Sequence, residues 1–370
     1  MPSQSAQEAA PEHPGLDQAR AAATADLGLR HPDGRQRHLI PVVAAAWSIY
    51  QLLLPSVILL ETVYVRSIHL AFALALVFLS FPALKKLSLG GHLKFLRRRD
   101  RIPRLDLVLA LLAGLAALYI ALDHRGLAMR QGDPLVRDLV AGGVLVVLLL
   151  EAVRRALGPA LSVVAVAFMI YAFFGPYMPD VIAFKGVSLS RFMGQETMST
   201  EGIYGIPLDV SATIVFLFVL FGAMMNRAGG GEYFVRLAFS LLGSFRGGPA
   251  KAAVLASGLT GMVSGSSIAN VVTTGTFTIP LMNSAGYPAK KAAAIEVAAS
   301  TDGQLMPPIM GAAAFIIAEY CNLPYLEVVR AALVPAVLSY LTLFFITHIE
   351  ACKLGLTSIP RKDLPAFWPT

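Results

Sequence analysis

Two short stretches hold most of the residues whose types suit them to binding an ion or a small polar solute. GMVSGSSIANVVTTGTFTIP, residues 261–280, places three Ser, four Thr, one Asn and three Gly in otherwise apolar surroundings. Its centre, Ser264, Gly265, Ser266 and Ser267, can break a helix, allow close approach and turn hydroxyl and carbonyl oxygens toward a cation. Half-helix N-termini at such a break face an anion. The same small residues also serve tight helix packing in membranes, and on residue types alone the two roles are equally well met. The second stretch, AASTDGQLMPPIMG at 298–311, contains Thr301, Asp302, Gly303, Gln304 and Pro307. Pro307 and Pro308 remove two amide donors and Gly303 loosens the preceding turn, so the helix here is expected to be discontinuous. A carboxylate at membrane depth costs about 2.5 to 3.5 kcal/mol on insertion scales and marks function by default. Asp302 has three open roles: ligand, cap of the second half-helix, or group in water at a cavity mouth.

The elements that must position these residues follow from composition. Of 370 residues, 56% are hydrophobic and 14% charged, and the mean hydropathy is +0.65; an ordinary soluble domain carries about 25% charged residues. The fold class is therefore an all-α polytopic membrane protein. Apolar runs of about 20 residues, enough to cross the bilayer as helix, fall near 39–60, 67–87, 105–122, 136–152, 158–178, 206–225, 292–320 and 325–348. That makes eight spans, with 252–285 left over as one re-entrant helical hairpin and 292–320 as a broken helix. A hairpin tip inside the membrane must line an enclosed or wet cavity, which suits its hydroxyls. Hairpin followed by broken helix is the pattern of a secondary transporter's ion and substrate site.

Residues 1–38, rich in Ala, Pro, Gln and charge, read as a disordered tail without a signal peptide. Lys and Arg are retained on the cytoplasmic side, and KKLSLGGHLKFLRRRDRIPR at 85–104 carries eight of them. With the N-terminus cytoplasmic and 252–285 re-entrant, 23 of the 30 basic residues lie inside and 7 outside. A single crossing there would give a weaker split of 19 to 11. Flanked by membrane on both sides, the basic loop argues for topology and not for nucleic acid. The domains are thus a cytoplasmic tail (1–38), a four-helix membrane domain (39–157) and a second membrane domain (158–370).

Other features carry less. Cys321 and Cys352 stand at opposite ends of the last helix, too far apart for a mutual disulfide. EYFVRLAFSLLGSF at 232–245 is amphipathic and fits an interfacial helix or a buried connector. Glu296 falls in the helix before the break, where it could face a polar cavity though no partner is legible in the sequence, and Thr278 lies beyond the hairpin tip. Trp47 and Tyr50 sit well inside the first span, where packing is expected.

The segment GPAKAAVLASGLTGMVSGSSIANVVTTGTFTIPLMNSAGYPAKKAAAIEVAASTDGQLMPPIMGAAAFIIAEY closely resembles the large membrane subunit of TRAP transporters, the tripartite ATP-independent periplasmic transporters. YAFFGPYMPD, STEGIYGIPLDVSATIVFLFVLFG and PLMNSAGYP fit the same pattern, from about Arg154 to Leu356. More specifically, the chain looks like the fused permeases that join small and large subunits and are usually associated with TAXI-type solute-binding proteins. The helices of 39–157 match the small-subunit half in helix count and hydropathy.

The resemblance implies sodium-coupled uptake of an organic acid (carboxylate) by an elevator-like mechanism in the bacterial inner membrane. The implied partners are a periplasmic TAXI-type binding protein, membrane lipid and the acid itself, with no cofactor other than Na⁺ as coupling ion. Carried over by motif, Ser264, Gly265, Ser266, Ser267, Asn270, Thr301, Asp302, Gly303, Gln304 and Pro307 form half of the ion and substrate sites. Ser266, Asn270, Thr301 and Gly303 are the sodium candidates. The family's break often reads STGGQ, and Asp302 stands here in place of a glycine. The family's transport domain resembles two inverted repeats, each a hairpin and a broken helix. Because this chain ends at IPRKDLPAFWPT after the first, the resemblance implies an N-terminal part only, unable to complete a transport cycle alone. Two alternatives remain: a noncatalytic membrane scaffold subunit, and an intramembrane serine hydrolase. Against the hydrolase, GMVSGSS does not fit the GxSxG elbow, and no motif links His69, His124 or His348 to Ser264 or Ser266.

Overall fold

The computed structural model describes residues 29–30, 32–84, 101–130 and 132–358. Residues 1–28, most of the basic loop and the last twelve residues, on which part of the topology reading rests, lie outside the described residues. The described helices are α1 (Leu39–Leu53), α2 (Thr62–Ser80), α3 (Arg104–Leu122), α4 (His124–Met129), α5 (Val136–Ala156), α6 (Pro159–Phe174) and α7 (Leu189–Thr197). They continue as α8 (Ile206–Val210), α9 (Phe216–Arg227), α10 (Gly230–Leu242), α11 (Gly248–Ser264), α12 (Ser267–Ser284), α13 (Ala289–Asp302), α14 (Ala312–Cys321) and α15 (Tyr325–Lys353). No strand occurs among the described residues.

Among the described residues, five helical segments are long and apolar enough to cross a membrane: Thr62–Ser80, Arg104–Leu122, Pro159–Tyr177, Ile206–Arg227 and Tyr325–Lys353. Three of the eight expected spans fall short for identifiable reasons. α1 has only 15 residues, against about 20 for a crossing. Charged residues at both ends of α5, from Arg137 and Asp138 to Arg154 and Arg155, shorten its apolar run. The run at 292–320 is divided by the expected break into α13, of 14 residues, and α14, of 10.

The described chain forms two compact units. One comprises Gly28–Leu220 and Phe315–Tyr325. Its core packs Leu70, Leu74 and Phe78 of α2 against Ala113 and Ala117 of α3 and Leu145 of α5. Alanines on α3 let the helices approach closely, as small residues do between membrane helices. Tyr204 is fully buried, and its hydroxyl donates to the Ala117 carbonyl at 2.8 Å. The disordered-tail reading of 1–38 runs too far, because Arg30 is buried, donates to the Phe78 carbonyl at 3.1 Å and pairs with Asp106. Trp47 packs on His69 and Phe216, as expected of a residue inside the first span. His69 itself bridges Gln51 (2.6 Å) and Ser211 (3.1 Å).

The other unit is built on Phe221–Ala314 and Leu326–Thr370. α11 and α12 form an antiparallel helical hairpin, joined by only Gly265 and Ser266. Gly265 takes a φ of 61°, the left-handed conformation that ends a helix at little cost for glycine. The Ser266 hydroxyl then accepts the Ala269 amide at 3.3 Å and caps α12. α10 packs Val235, Ala238 and Phe239 against Ala252 and Ala256 of α11, so it is a half-buried connector. Tyr287, between α12 and α13, donates to the Thr347 carbonyl of α15 at 3.2 Å. Burial pushes that hydroxyl up to about 12, which keeps it a donor. Cys321 and Cys352 are both free and exposed.

Candidate functional site

The hairpin and the broken helix meet at two glycines. A Cβ on Gly261 would lie 2.7 Å from the Gly303 Cα, so α11 and the end of α13 touch backbone to backbone. At the tip, a Cβ on Gly265 would lie 2.8 Å from the Met310 carbonyl oxygen, at the far side of the break. The break is a compact loop, closed where the Gly311 amide donates to the Gln304 carbonyl at 2.7 Å. Glycines here do the packing that the sequence stretch permits.

The expected site residues divide on this geometry. Asn270 is fully buried; its amide nitrogen donates to the Ser257 carbonyl at 2.8 Å, and its Oδ1 has no partner among the described residues. Thr260 on α11 also has a buried, unpartnered hydroxyl. Ser264 is buried with its hydroxyl 3.5 Å from the Ser266 carbonyl, while Ser266 caps α12. Gly265 lies in the tip–break contact, Gly303 in the contact with Gly261, and Gln304 against Gly311 within the loop, and Ser267 opens α12. Pro307 lies within the loop. Thr301 is exposed and donates back to the Val297 carbonyl at 2.7 Å. Asp302 ends α13 and accepts the Ser339 hydroxyl of α15 at 2.6 Å, a partner that none of its three open roles anticipated.

Asn270 supports a cation reading: a buried amide oxygen with no donor is the kind of ligand for which a desolvated cation exchanges water. Ser266 retains a lone pair beside its capping bond, and Gly303 offers backbone. As for nucleophilic chemistry, His348 bonds to Lys251 at 3.2 Å, and among the described residues no histidine bonds to Ser264 or Ser266.

A second polar cluster surrounds Glu296, and the sequence reading had named none of its partners. Glu296 on α13 is fully buried. It accepts the hydroxyls of Ser257 (2.5 Å), Thr278 (2.6 Å) and Ser300 (3.1 Å), and that of Thr274 at closer range. Thr278, set aside as beyond the tip, is one of its donors. A signal was present: Asn270, Thr274 and Thr278 recur every fourth residue on α12, as do Glu296 and Ser300 on α13, each forming a polar stripe on one helix face.

Among the described residues, helices without strands, five of them apolar and long enough to cross a membrane, define a multi-pass membrane protein. Residues 144–370 match the family model for the tripartite ATP-independent periplasmic transporter, DctM component, and the chain belongs to that family. It is 35% identical over 147 residues to the C4-dicarboxylate TRAP transporter large permease protein DctM of Pseudomonas aeruginosa, covering 40% of this chain and 34% of that one. It is 26% identical over 151 residues to the 2,3-diketo-L-gulonate TRAP transporter large permease protein YiaN of Escherichia coli, covering 41% and 35%. It is also 31% identical over 174 residues to the sialic acid TRAP transporter permease protein SiaT of Haemophilus influenzae, covering 47% and 28%. The chain thus spans about a third of the length of the relatives it matches.

Proposed function

We propose that these residues belong to the permease of a TRAP-type secondary transporter of the bacterial inner membrane. It carries an organic acid inward on a sodium gradient after delivery by a periplasmic TAXI-type binding protein. In this reading 39–157 acts as a fused small subunit and 158–370 as the N-terminal part of the large one. The N-terminus is cytoplasmic, α11–α12 is the re-entrant hairpin, and hairpin plus broken helix form the first half of an inverted-repeat elevator. The substrates in the names of the three relatives, C4-dicarboxylate, 2,3-diketo-L-gulonate and sialic acid, are all acids, which supports the substrate class.

The observation that carries the ion site is the open Oδ1 of Asn270, buried at the meeting of hairpin and break. A cation entering there gives up water for fixed oxygens, and loss of one such ligand weakens the bound state without emptying the core. Contacts to a charged group are worth about 1.5 to 3 kcal/mol, or about one to two decades in affinity. In proteoliposomes holding the full-length permease and its binding protein, Asn270→Ala should raise the half-saturating sodium concentration by that factor. Uptake that needs no sodium, or an unchanged half-saturation in the variant, would overturn the assignment.

A further inference from the structure

Glu296 has no role in the ion site as drawn, yet a fully buried carboxylate is costly unless something requires it. Among the described residues it forms no salt bridge. Its four hydroxyl neighbours come from three helices: Ser257 from α11, Thr274 and Thr278 from α12, Ser300 from α13 itself. Each hydroxyl has one proton to give. Thr274 lies 2.8 Å from the Asn270 carbonyl and Thr278 lies 3.0 Å from the Thr274 carbonyl, the usual resting partners of a mid-helix threonine. Bonding to Glu296 draws those protons from the helix's own backbone into a link between helices. Gly275 makes room for it, since a Cβ there would lie 3.2 Å from the Glu296 Cγ.

The cluster is also continuous with Asn270. Ser257 donates its hydroxyl to Glu296 while its carbonyl accepts the Asn270 amide nitrogen, and Thr274 reaches Glu296 one turn beyond Asn270 on the same face of α12. An apolar residue at 296 could fill the volume but could not fix the rotation of α11 and α12 about their axes, because dispersion is not directional and hydrogen bonds are.

We propose that Glu296 is a positioning residue that clasps both arms of the hairpin to α13. It thereby holds Asn270 Oδ1 at one place relative to the break, and with it the tip–break contact of Gly265 and Met310. The part of this that concerns sodium rests on the proposed function above; the part that concerns hairpin register does not.

The experiment uses the full-length permease and two readouts. The first is uptake against sodium concentration in proteoliposomes with the binding protein. The second is the rate at which a short bifunctional thiol reagent cross-links cysteines placed on either side of the tip–break contact, at the exposed Ile268 and Leu305, with Cys321 and Cys352 replaced by serine and Gly265 and Met310 left intact, which reports that contact whatever ion is used. Glu296→Gln keeps the shape and turns one acceptor into a donor, so the hydroxyl facing the new amide must return its proton to its own helix carbonyl and accept instead, which replaces a charge-assisted link between helices with a weaker neutral one. It should raise the sodium half-saturation about tenfold at a nearly unchanged maximal rate, and slow cross-linking several-fold. Thr278→Val, which leaves the carboxylate in place, should shift both readouts in the same direction by less, and replaces Glu296→Gln if that variant does not fold. A lowered maximal rate with unchanged half-saturation and unchanged cross-linking would mark Glu296 as structural only and overturn the proposal. If Asn270→Ala leaves sodium dependence unchanged, the ion-ligand reading fails. The clasp then stands or falls on cross-linking alone.

Discussion

Buried charge is handled in two different ways in the two units. In the unit around α2, α3 and α5, charge is answered by opposite charge. Asp106 accepts Arg30 on one oxygen and Arg155 on the other at 2.8 Å, and Glu151 accepts both Arg154 and Arg155 at 2.7 Å. In the unit around α11, α12 and α13, the Glu296 carboxylate is answered by hydroxyls alone. The ion network sits at helix ends, with Asp106 in the first turn of α3 and Arg154 and Arg155 in the last turn of α5, so these three charges also meet the favourable end of their helix dipole. Glu296 lies mid-helix and has no such help. Ion pairs close off helix ends, where strength matters more than fine rotation. A set of hydroxyls on three helices fixes mutual register, because each must point at one oxygen.

The widest separation between the regions should appear on removing a charge. Asp106→Asn leaves the buried Arg30 guanidinium without its anion and Arg155 with Glu151 alone, and breaking a buried pair in this way costs about 3 to 5 kcal/mol. Thermal unfolding of the purified protein in detergent should show it as the largest loss of any variant here. A loss no greater than that of a surface change would erase the distinction.

An intermediate effect is expected from Ser257→Ala, which removes one donor from Glu296 and leaves the others. A hydrogen bond to a charged group contributes about 1.5 to 3 kcal/mol, so the same unfolding measurement should place this variant between Asp106→Asn and wild type. If Ser257→Ala is neutral, the hydroxyl set is redundant and the clasp loses its physical basis.

The smallest effect should come from the rim of the first unit. Arg137 pairs with Asp123 at 2.8 Å but is 61% exposed, and exposed pairs contribute about 0 to 1 kcal/mol. Arg137→Ala should be close to silent. A loss comparable to Asp106→Asn would show that the charge network extends to the surface.

Composition alone determined that the chain is helical and built for a membrane, since 56% hydrophobic residues in long apolar runs leave no other way to satisfy backbone hydrogen bonds. Local chemistry determined the two interruptions. Gly265 and Ser266 stop one helix and cap the next, and the stretch around Pro307 and Pro308 divides α13 from α14, because glycine conformational freedom and missing proline amides act within a few residues. What the sequence left open were the partners. Whether Asp302 would find Ser339, whether Thr301 would turn outward, and whether Thr278 would be idle or a donor to Glu296 depend on which helix faces come together. That is decided by close contacts such as Gly261 on Gly303, between residues 42 positions apart in the chain. Helical periodicity shows that a polar stripe exists, but a stripe has no distance or direction until another helix is laid against it; the hydrogen bonds that give Glu296 its place exist only once α11, α12 and α13 have packed.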